Sequence, residues 1–159
     1  MGSGVSGLYN GASVIRPFPG SADFTEKGDQ YSENIRKRKD VDVNGAYDVI
    51  AHGRPDFIKV DYNGISVKIN HRVASKLIKH DKYYPGKSIR LLSCDTGSSK
   101  TGFAQNLANK LNVVVEAPTS WVWAYPNGRY FVAAPNKYGR PDLSKRGRFV
   151  KFYPGGNKK

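Results

Sequence analysis

The chain has 159 residues and is strongly basic, with 26 Lys and Arg against 13 Asp and Glu and a formal net charge of +13. This length predicts one domain that buries a sizeable core without a metal or disulfides. A single cysteine excludes an intrachain disulfide. No apolar run approaches the roughly 18 residues of a transmembrane helix, and we expect no secretory signal peptide.

The first part of the chain, residues 1–44, is rich in Gly, Ser, Asn and charge and shows no sustained period of two or 3.6. We therefore predict a mostly irregular N-terminal segment with a short helix around Tyr31–Lys37. Met1–Ser6 fit a myristoylation signal, although a cloning scar explains them more simply. Residues 45–159 are then predicted to form a single catalytic α/β domain.

A regular hydrophobic pattern begins at Tyr47–Ala51, which is apolar on both faces and typical of a buried parallel strand. A hairpin follows, because Asn63-Gly64 separates two alternating runs. Asn70 can cap the helix that comes next. The predicted elements of this half, after the first strand, are strands at Phe57–Val60 and Ile65–Ile69 and a helix at His71–His80.

The second half of the chain continues the alternation of strands and helices, with another hairpin signal at Asn127-Gly128. Its predicted elements are strands at Ile89–Ser93, Val113–Glu116, Trp121–Ala124, Arg129–Ala133 and Arg148–Tyr153, and a helix at Gly102–Leu111. This order places the chain in the α/β class. We predict a mostly parallel central sheet flanked by helices, with added β-hairpins.

Two reactive side chains follow the ends of predicted buried strands. His52 follows the first strand, and Cys94, the only cysteine, comes 42 positions later, after Leu91-Leu92-Ser93. If the two strands are parallel neighbours about 4.8 Å apart, the imidazole lies within general-base distance of the thiol. A helix that begins shortly after Cys94 is expected to lower the thiol pKa. A structural histidine and a small buried cysteine are the alternative interpretation.

The neighbouring residues fit the same hypothesis. The Gly53 N–H and the Cys94 N–H form a candidate oxyanion hole. Asp95, Thr96 and Gly97 are then predicted to line the substrate cleft. Trp123 alternates with Trp121 and Tyr125, a pattern that favours packing on the sheet, with a substrate-binding wall as the alternative.

Histidine-glycine after one strand and Ser-Cys-x-x-Gly after another resemble the caspase-hemoglobinase clan of cysteine peptidases. In the caspase signature the histidine lies about 50 residues before the cysteine. The run from Tyr47 to Gly155 also resembles the C-terminal effector domains of Rhs-type polymorphic bacterial toxins. The segments that carry this second likeness are Phe103–Leu111, Glu116–Thr119 and Trp123–Gly128.

The resemblance implies a caspase-like hydrolase in which Cys94 is the nucleophile and His52 the general base. It further implies a domain secreted within a larger bacterial toxin that acts on a protein in the target-cell cytoplasm. An immunity protein and the parent toxin shell are its implied partners, and we expect a monomer. The chain is shorter than most of these peptidases, so another acyl transfer could replace proteolysis.

Several alternatives remain. Zinc binding by His52, His71, His80 and Cys94 lacks the usual ligand spacing, and we expect neither a metal nor a cofactor. His71 and His80 are better explained as flanking the helix, and the few glutamates disfavour ADP-ribosylation. The loop Gly97–Gly102 lacks the P-loop order but could bind an anion. The positive charge leaves open a ribonuclease-like toxin that uses His52, or a non-enzymatic basic cargo module.

Overall fold

A computed structural model describes residues 14–42 and 45–156 of the chain. The strands are β1 (Arg16–Phe18), β2 (Ser21–Asp23), β3 (Tyr47–Ile50), β4 (His52–Arg54), β5 (Phe57–Tyr62), β6 (Ile65–Ile69), β7 (Ile89–Leu92), β8 (Val115–Pro118), β9 (Trp121–Ala124), β10 (Tyr130–Pro135), β11 (Pro141–Arg146) and β12 (Phe149–Phe152). The helices are α1 (Gln30–Ile35), α2 (His71–His80) and α3 (Phe103–Leu111). Among these described helices, none is long and apolar enough to cross a membrane.

The centre of the molecule is a six-stranded sheet in the order β1-β2-β3-β7-β8-β12. Its four middle strands run parallel, whereas β1 and β12 pair antiparallel at the two edges. Two smaller antiparallel sheets, β4-β5-β6 and β9-β10-β11, lie beside it. The predicted α/β class is therefore confirmed, but the sheets are mixed and not mostly parallel.

The N-terminal segment is more ordered than the sequence pattern predicted. Within residues 14–42, β1, β2 and α1 belong to the main fold, and Val14, Phe24 and Ile35 are fully buried. The apolar residues of this segment occupy separate positions in the core, so they produce no period along the sequence. The predicted boundary at residue 44 thus does not separate an irregular tail from the domain. The interpretations of Met1–Ser6 concern residues outside the described range.

One face of the main sheet is apolar and is covered by α2 and α3. Asn70 caps α2 as predicted, because its side chain accepts hydrogen bonds from the Arg72 and Val73 N–H groups. Val49 and Leu91 of the central strands pack on this face with Leu107 of α3, and all three are fully buried. This face holds the larger hydrophobic core.

The opposite face combines a small apolar cluster with a buried ion network. Ile50 and Leu92 pack there against Ile35 of α1. Beside them, the buried Asp48 carboxylate accepts hydrogen bonds from Arg38 Nη2 and Arg90 Nη2, both at 2.7 Å. The segment after α1 and the sheet β9-β10-β11 thus meet a surface that is partly ionic.

Both predicted hairpins are present. Asn63 and Gly64 have positive φ angles of 53° and 83° in the β5–β6 turn, as an Asn-Gly hairpin turn requires. Gly128 stands in the β9–β10 turn with φ of 89°, and an added Cβ would lie 2.2 Å from the Lys37 carbonyl oxygen. Strands β4 and β11 were not predicted. β4 has only three residues and β11 is largely exposed, so neither shows the apolar pattern of a strand. Each strand is defined by its pairing with a neighbouring strand.

Candidate functional site

The strands that precede His52 and Cys94 are neighbours in the sheet. β3 and β7 pair in parallel, with Ile50 opposite Leu92. The His52 ring lies beside Tyr31 of α1, and Cys94 Sγ lies beside Val122 of β9, so both side chains are on this side of the sheet. Both line one cavity. The predicted parallel pairing of the two strands is therefore confirmed. Within the described residues no hydrogen bond joins the His52 ring to the Cys94 thiol, so a general-base contact between them stays a prediction.

Gly53 brings the two segments into contact. An added Cβ at Gly53 would lie 2.3 Å from Ser93 Oγ and 2.9 Å from the Cys94 carbonyl oxygen. Real side chains do not tolerate such distances, so the close approach of β4 to the Ser93–Thr96 turn needs a glycine at this position. The Gly53 Cα consequently lies close to the Cys94 carbonyl oxygen, and the shared oxyanion hole, which needs both N–H groups to converge, stays a prediction.

His52 has a carboxylate partner that the sequence analysis missed. Its Nε2 lies 2.6 Å from Asp29 Oδ2, and its ring centroid lies 5.8 Å from that of Tyr31. Burial would raise the pKa of Asp29, but hydrogen bonds from His52 and the Ser32 N–H outweigh burial and lower it. Asp29 also caps α1. An aspartate at position 29 could have indicated the start of a helix. The sequence could not show that this start lies beside His52.

A buried group of hydrogen bonds around Asp23 fixes the position of Asp29. The Asp23 carboxylate accepts a hydrogen bond from Ser32 Oγ of α1 and one from Arg36 Nε at 2.8 Å. Asp23 is itself fully buried at the end of β2. The start of α1, and with it the Asp29 side chain, is therefore anchored to the main sheet.

The Cys94 thiol lies under the edge of β9. Its Sγ accepts a hydrogen bond from the Val122 N–H at 3.3 Å. Burial raises the pKa of the Cys94 thiol, and the Val122 hydrogen bond and the Arg54 charge only partly oppose this effect. The expectation that a helix N-terminus lowers this pKa is not met, because α3 begins close to its predicted start but burial dominates.

The shared cavity has a volume of about 260 Å³ and a basic rim. Besides His52, Gly53 and Cys94, its wall contains Arg54 and Lys59, which the sequence did not single out, and Trp121, which the sequence offered only as part of a possible substrate-binding wall. Lys59 belongs to β5 and stands opposite His52 in the strand register. The Arg54 guanidinium carbon lies 6.0 Å from the Trp121 ring centroid. The places of Arg54 and Lys59 depend on the β4–β5 pairing, which the sequence did not reveal, and Trp121 reaches the cavity from β9.

None of the predicted cleft residues Asp95, Thr96 and Gly97 lines this cavity. Asp95 follows Cys94 in a left-handed conformation, with φ of 63°, and burial raises its pKa although the Arg54 charge opposes this. Thr96 is fully buried and its hydroxyl donates to the Ser93 carbonyl, so it does not face a substrate. Gly97 packs against the Ala117 carbonyl oxygen and lines a different cavity.

Trp123 does not line the cavity and lies beside Trp121, which does. Its Nε1 donates to the Ala133 carbonyl oxygen at 2.9 Å, and its ring stacks on Trp121. Trp121, not Trp123, forms part of the cavity wall. Packing within the β9–β10 hairpin, the interpretation that the alternation favoured, therefore describes Trp123.

No group of three or more His, Cys, Asp or Glu side chains within residues 14–42 and 45–156 could hold a metal ion. His71 and His80 are the first and last residues of α2, as predicted.

Residues 20–132 match the model of a family described as a domain of unknown function (DUF8616). This match includes His52, Cys94 and Asp29 and spans well over half of the chain. The chain therefore belongs to this family. No curated protein matches it.

Proposed function

We propose that this DUF8616 chain is a cysteine-dependent hydrolase of caspase-like type that uses His52 and Cys94 for acyl transfer. The observation that supports it is the parallel, in-register pairing of β3 and β7, which brings both side chains to one cavity. Nucleophilic catalysis by cysteine needs an imidazole that can reach the thiol. A purely structural histidine and cysteine would not need a shared cavity.

The proposed reaction begins from a neutral thiol. Cys94 Sγ attacks the substrate carbonyl carbon while its proton passes to His52, which acts as general base. The carbonyl oxygen becomes an oxyanion that accepts hydrogen bonds from the Gly53 and Cys94 N–H groups. When the tetrahedral intermediate collapses, the leaving amine takes the proton from His52 and an acyl-thioester remains on Cys94. Water, deprotonated by His52, then hydrolyses the thioester.

Asp29 completes the arrangement as a positioning residue. Its carboxylate occupies Nε2 of His52, which leaves Nδ1 for the thiol proton. A carboxylate at this place also stabilises the imidazolium that forms during the attack. The burial of Cys94 beneath the Val122 N–H implies that substrate entry replaces this contact before the thiol reacts.

We further propose that the domain is the effector of a larger bacterial toxin, delivered to the target-cell cytoplasm, where it cleaves a protein. The likeness of residues 47–155 to Rhs-type effector domains supports this role. An immunity protein that blocks the site is the corresponding partner.

The experiment is expression of the chain in the bacterial cytoplasm together with a digest of a bacterial proteome by the purified protein. Wild type is expected to arrest growth and to produce new protein N-termini. Cys94→Ala should abolish both effects while the circular dichroism spectrum and melting temperature stay close to wild type. Ser66→Ala, an exposed change on β6, is the matched control and should behave as wild type.

Three results would contradict the proposal. A fully toxic Cys94→Ala protein excludes the nucleophile. Degradation of cellular RNA without new protein N-termini favours the ribonuclease-like alternative. Growth arrest that neither His52→Ala nor Cys94→Ala relieves favours a non-enzymatic basic module.

A further inference from the structure

We propose that a second, larger cavity of this chain binds an acidic extended segment of a partner protein, which adds as a strand to the free edge of β12. We call this cavity the basic cavity. It is formed by the Gly97–Lys100 loop, α3 and β12. The residues used in the argument are Lys100, Arg148, Val150, Lys151, Phe152 and Tyr153. The inference does not depend on the proposed hydrolase activity.

The basic cavity lies against β12, the edge strand of the main sheet. Its volume is about 860 Å³, more than three times that of the His52–Cys94 cavity. Val150 and Lys151 are consecutive in β12, so their side chains point to opposite faces of the sheet. Both contribute atoms to the cavity wall. The cavity therefore borders the strand to whose free edge an added strand would pair.

That edge is open to pairing. β12 is the last strand of the six-stranded sheet and pairs only with β8 among the described strands. An edge strand presents backbone N–H and C=O groups on its outer side, and extended peptides bind by pairing with them. Val150 and Phe152 provide an apolar floor beneath the edge, and Tyr153 beside them is 57% exposed. These features suit alternating side chains of an extended peptide.

The charge of the cavity selects an acidic peptide. Lys100, Arg148 and Lys151 are exposed, and none of the three forms an ion pair with another residue in the described part of the chain. No Asp or Glu lines the cavity. Glu116 lies opposite Lys151 in the register but does not reach the cavity wall. Carboxylates that enter here would meet Lys100 and Arg148, which have no anionic neighbour in the cavity wall, and Lys151, which also stands opposite Glu116 in the strand register.

The same charges disfavour two other occupants. A second copy of this chain paired edge to edge would place Arg148 and Lys151 against a like-charged strand. Segments of this chain outside the described residues fit no better, because residues 1–13 and 157–159 contain no Asp or Glu. Cations on an edge strand commonly prevent aggregation by repelling other strands. They do not repel an acidic strand, so the edge of β12 can pair with an acidic peptide while it repels basic strands.

The test uses the full chain and a fluorescein-labelled octapeptide of alternating glutamate and valine, with binding followed by fluorescence anisotropy at low salt. The peptide is expected to bind, and its affinity should fall as salt is added. The double variant Lys100→Glu/Lys151→Glu should bind roughly tenfold more weakly, since two attractive charge pairs become repulsive. Lys79→Glu/Lys145→Glu makes the same change in net charge outside the cavity and should bind as wild type.

Strand addition is tested separately from charge attraction. A peptide of the same sequence that is N-methylated at every residue cannot donate to the edge and is expected to lose binding. Amide exchange at Phe149–Phe152 should slow when the unmodified peptide is added. Cys94→Ala should bind the peptide as wild type does, so failure of the hydrolase proposal leaves this test intact.

The proposal is overturned by any of four outcomes. These are equal binding of the N-methylated peptide, equal loss in both charge-reversal variants, displacement by millimolar inorganic phosphate, and tighter binding of an RNA oligonucleotide at the same residues. The third result would indicate a small-anion site, and the fourth a nucleic-acid surface.

Discussion

The two faces of the central sheet are built from different interactions. On the α2–α3 face, Val49, Leu91 and Leu107 pack in a continuous apolar core. On the other face, a small cluster of Ile35, Ile50 and Leu92 borders a network of buried ion pairs. His52 and Cys94 leave the sheet on this second, more polar side.

The difference shows how one sheet separates stability from positioning. Apolar packing is non-directional and depends mainly on buried area. Ion pairs and hydrogen bonds have fixed geometry, so they determine how α1 and β9 sit on the sheet. Those two elements bring Asp29 to His52 and the Val122 N–H to Cys94. The polar face therefore carries the residues on whose exact positions the proposed reaction depends.

The largest expected effect comes from breaking the ion network with Asp48→Asn. Arg38 is fully buried and bonded to Asp48, so the change leaves a buried guanidinium without its full countercharge. We expect a loss of about 3–5 kcal/mol in the free energy of unfolding. Because Arg38 lies shortly after α1, we expect the proposed hydrolase activity also to fall at temperatures where the variant is still folded. Urea denaturation and activity per folded molecule measure the two effects.

Leu107→Ala is the comparison variant for the apolar face. It removes a fully buried side chain of α3 and should cost about 2–5 kcal/mol. Activity per folded molecule should stay near that of wild type. If Leu107→Ala lowers this specific activity as much as Asp48→Asn does, the separation between the faces is wrong.

Asp29→Asn is expected to have a smaller effect on stability and a clear effect on rate. Asparagine is as good an N-cap as aspartate, so α1 should remain capped. It cannot stabilise an imidazolium by charge, and kcat should fall at least about tenfold with KM nearly unchanged. Asp29→Ala removes the cap as well and adds about 1 kcal/mol of destabilisation. Steady-state kinetics and thermal unfolding distinguish the two contributions.

The pH dependence of unfolding provides a further check on Asp29. Its pKa is lowered in the folded state. Its stabilising contribution is thus fully present above the unfolded pKa of about 3.9 and is lost as pH falls through the folded pKa. Asp29→Asn should lack this part of the acid dependence. An identical acid profile in wild type and variant would contradict a charged Asp29–His52 pair.

The smallest expected effect concerns the reactivity of the resting thiol. Because burial raises the pKa of Cys94, the rate of iodoacetamide alkylation should reach half its maximum above the ordinary thiol value of about 8.5. Peptide aldehydes that enter the cavity and displace the Val122 contact should still bind. If the alkylation rate reaches half its maximum at a pH well below 8.5, a thiolate is already formed and the proposed attack by a neutral thiol is wrong.

Local sequence signals predicted much of the fold. The Asn63-Gly64 and Asn127-Gly128 turns, the Asn70 cap and the buried strands before His52 and Cys94 are all present. These features depend on a few adjacent residues and on short-range sterics. The order of the N-terminal segment was missed, since Val14, Phe24 and Ile35 reach the core from isolated positions.

The candidate site shows the same division. The proposed nucleophile and base could be selected because each follows an apolar strand and each is rare in this chain. Asp29, Arg54 and Lys59 could not, because only their spatial neighbours give them a role. Thr96 was assigned to the cleft because it follows Cys94 closely, and Trp123 because it alternates with other aromatic residues, but their polar groups bond to the fold itself.

The sequence by itself thus determined the α/β class, the hairpin turns and the pair of residues on which the chemistry is proposed to depend. Only the tertiary structure decided that β3 and β7 are neighbours, that Asp29 is the partner of His52 and that desolvation raises the pKa of the Cys94 thiol. The physical reason is that turns and strand patterns are local, whereas strand order, burial and electrostatic environment depend on groups far apart in the chain.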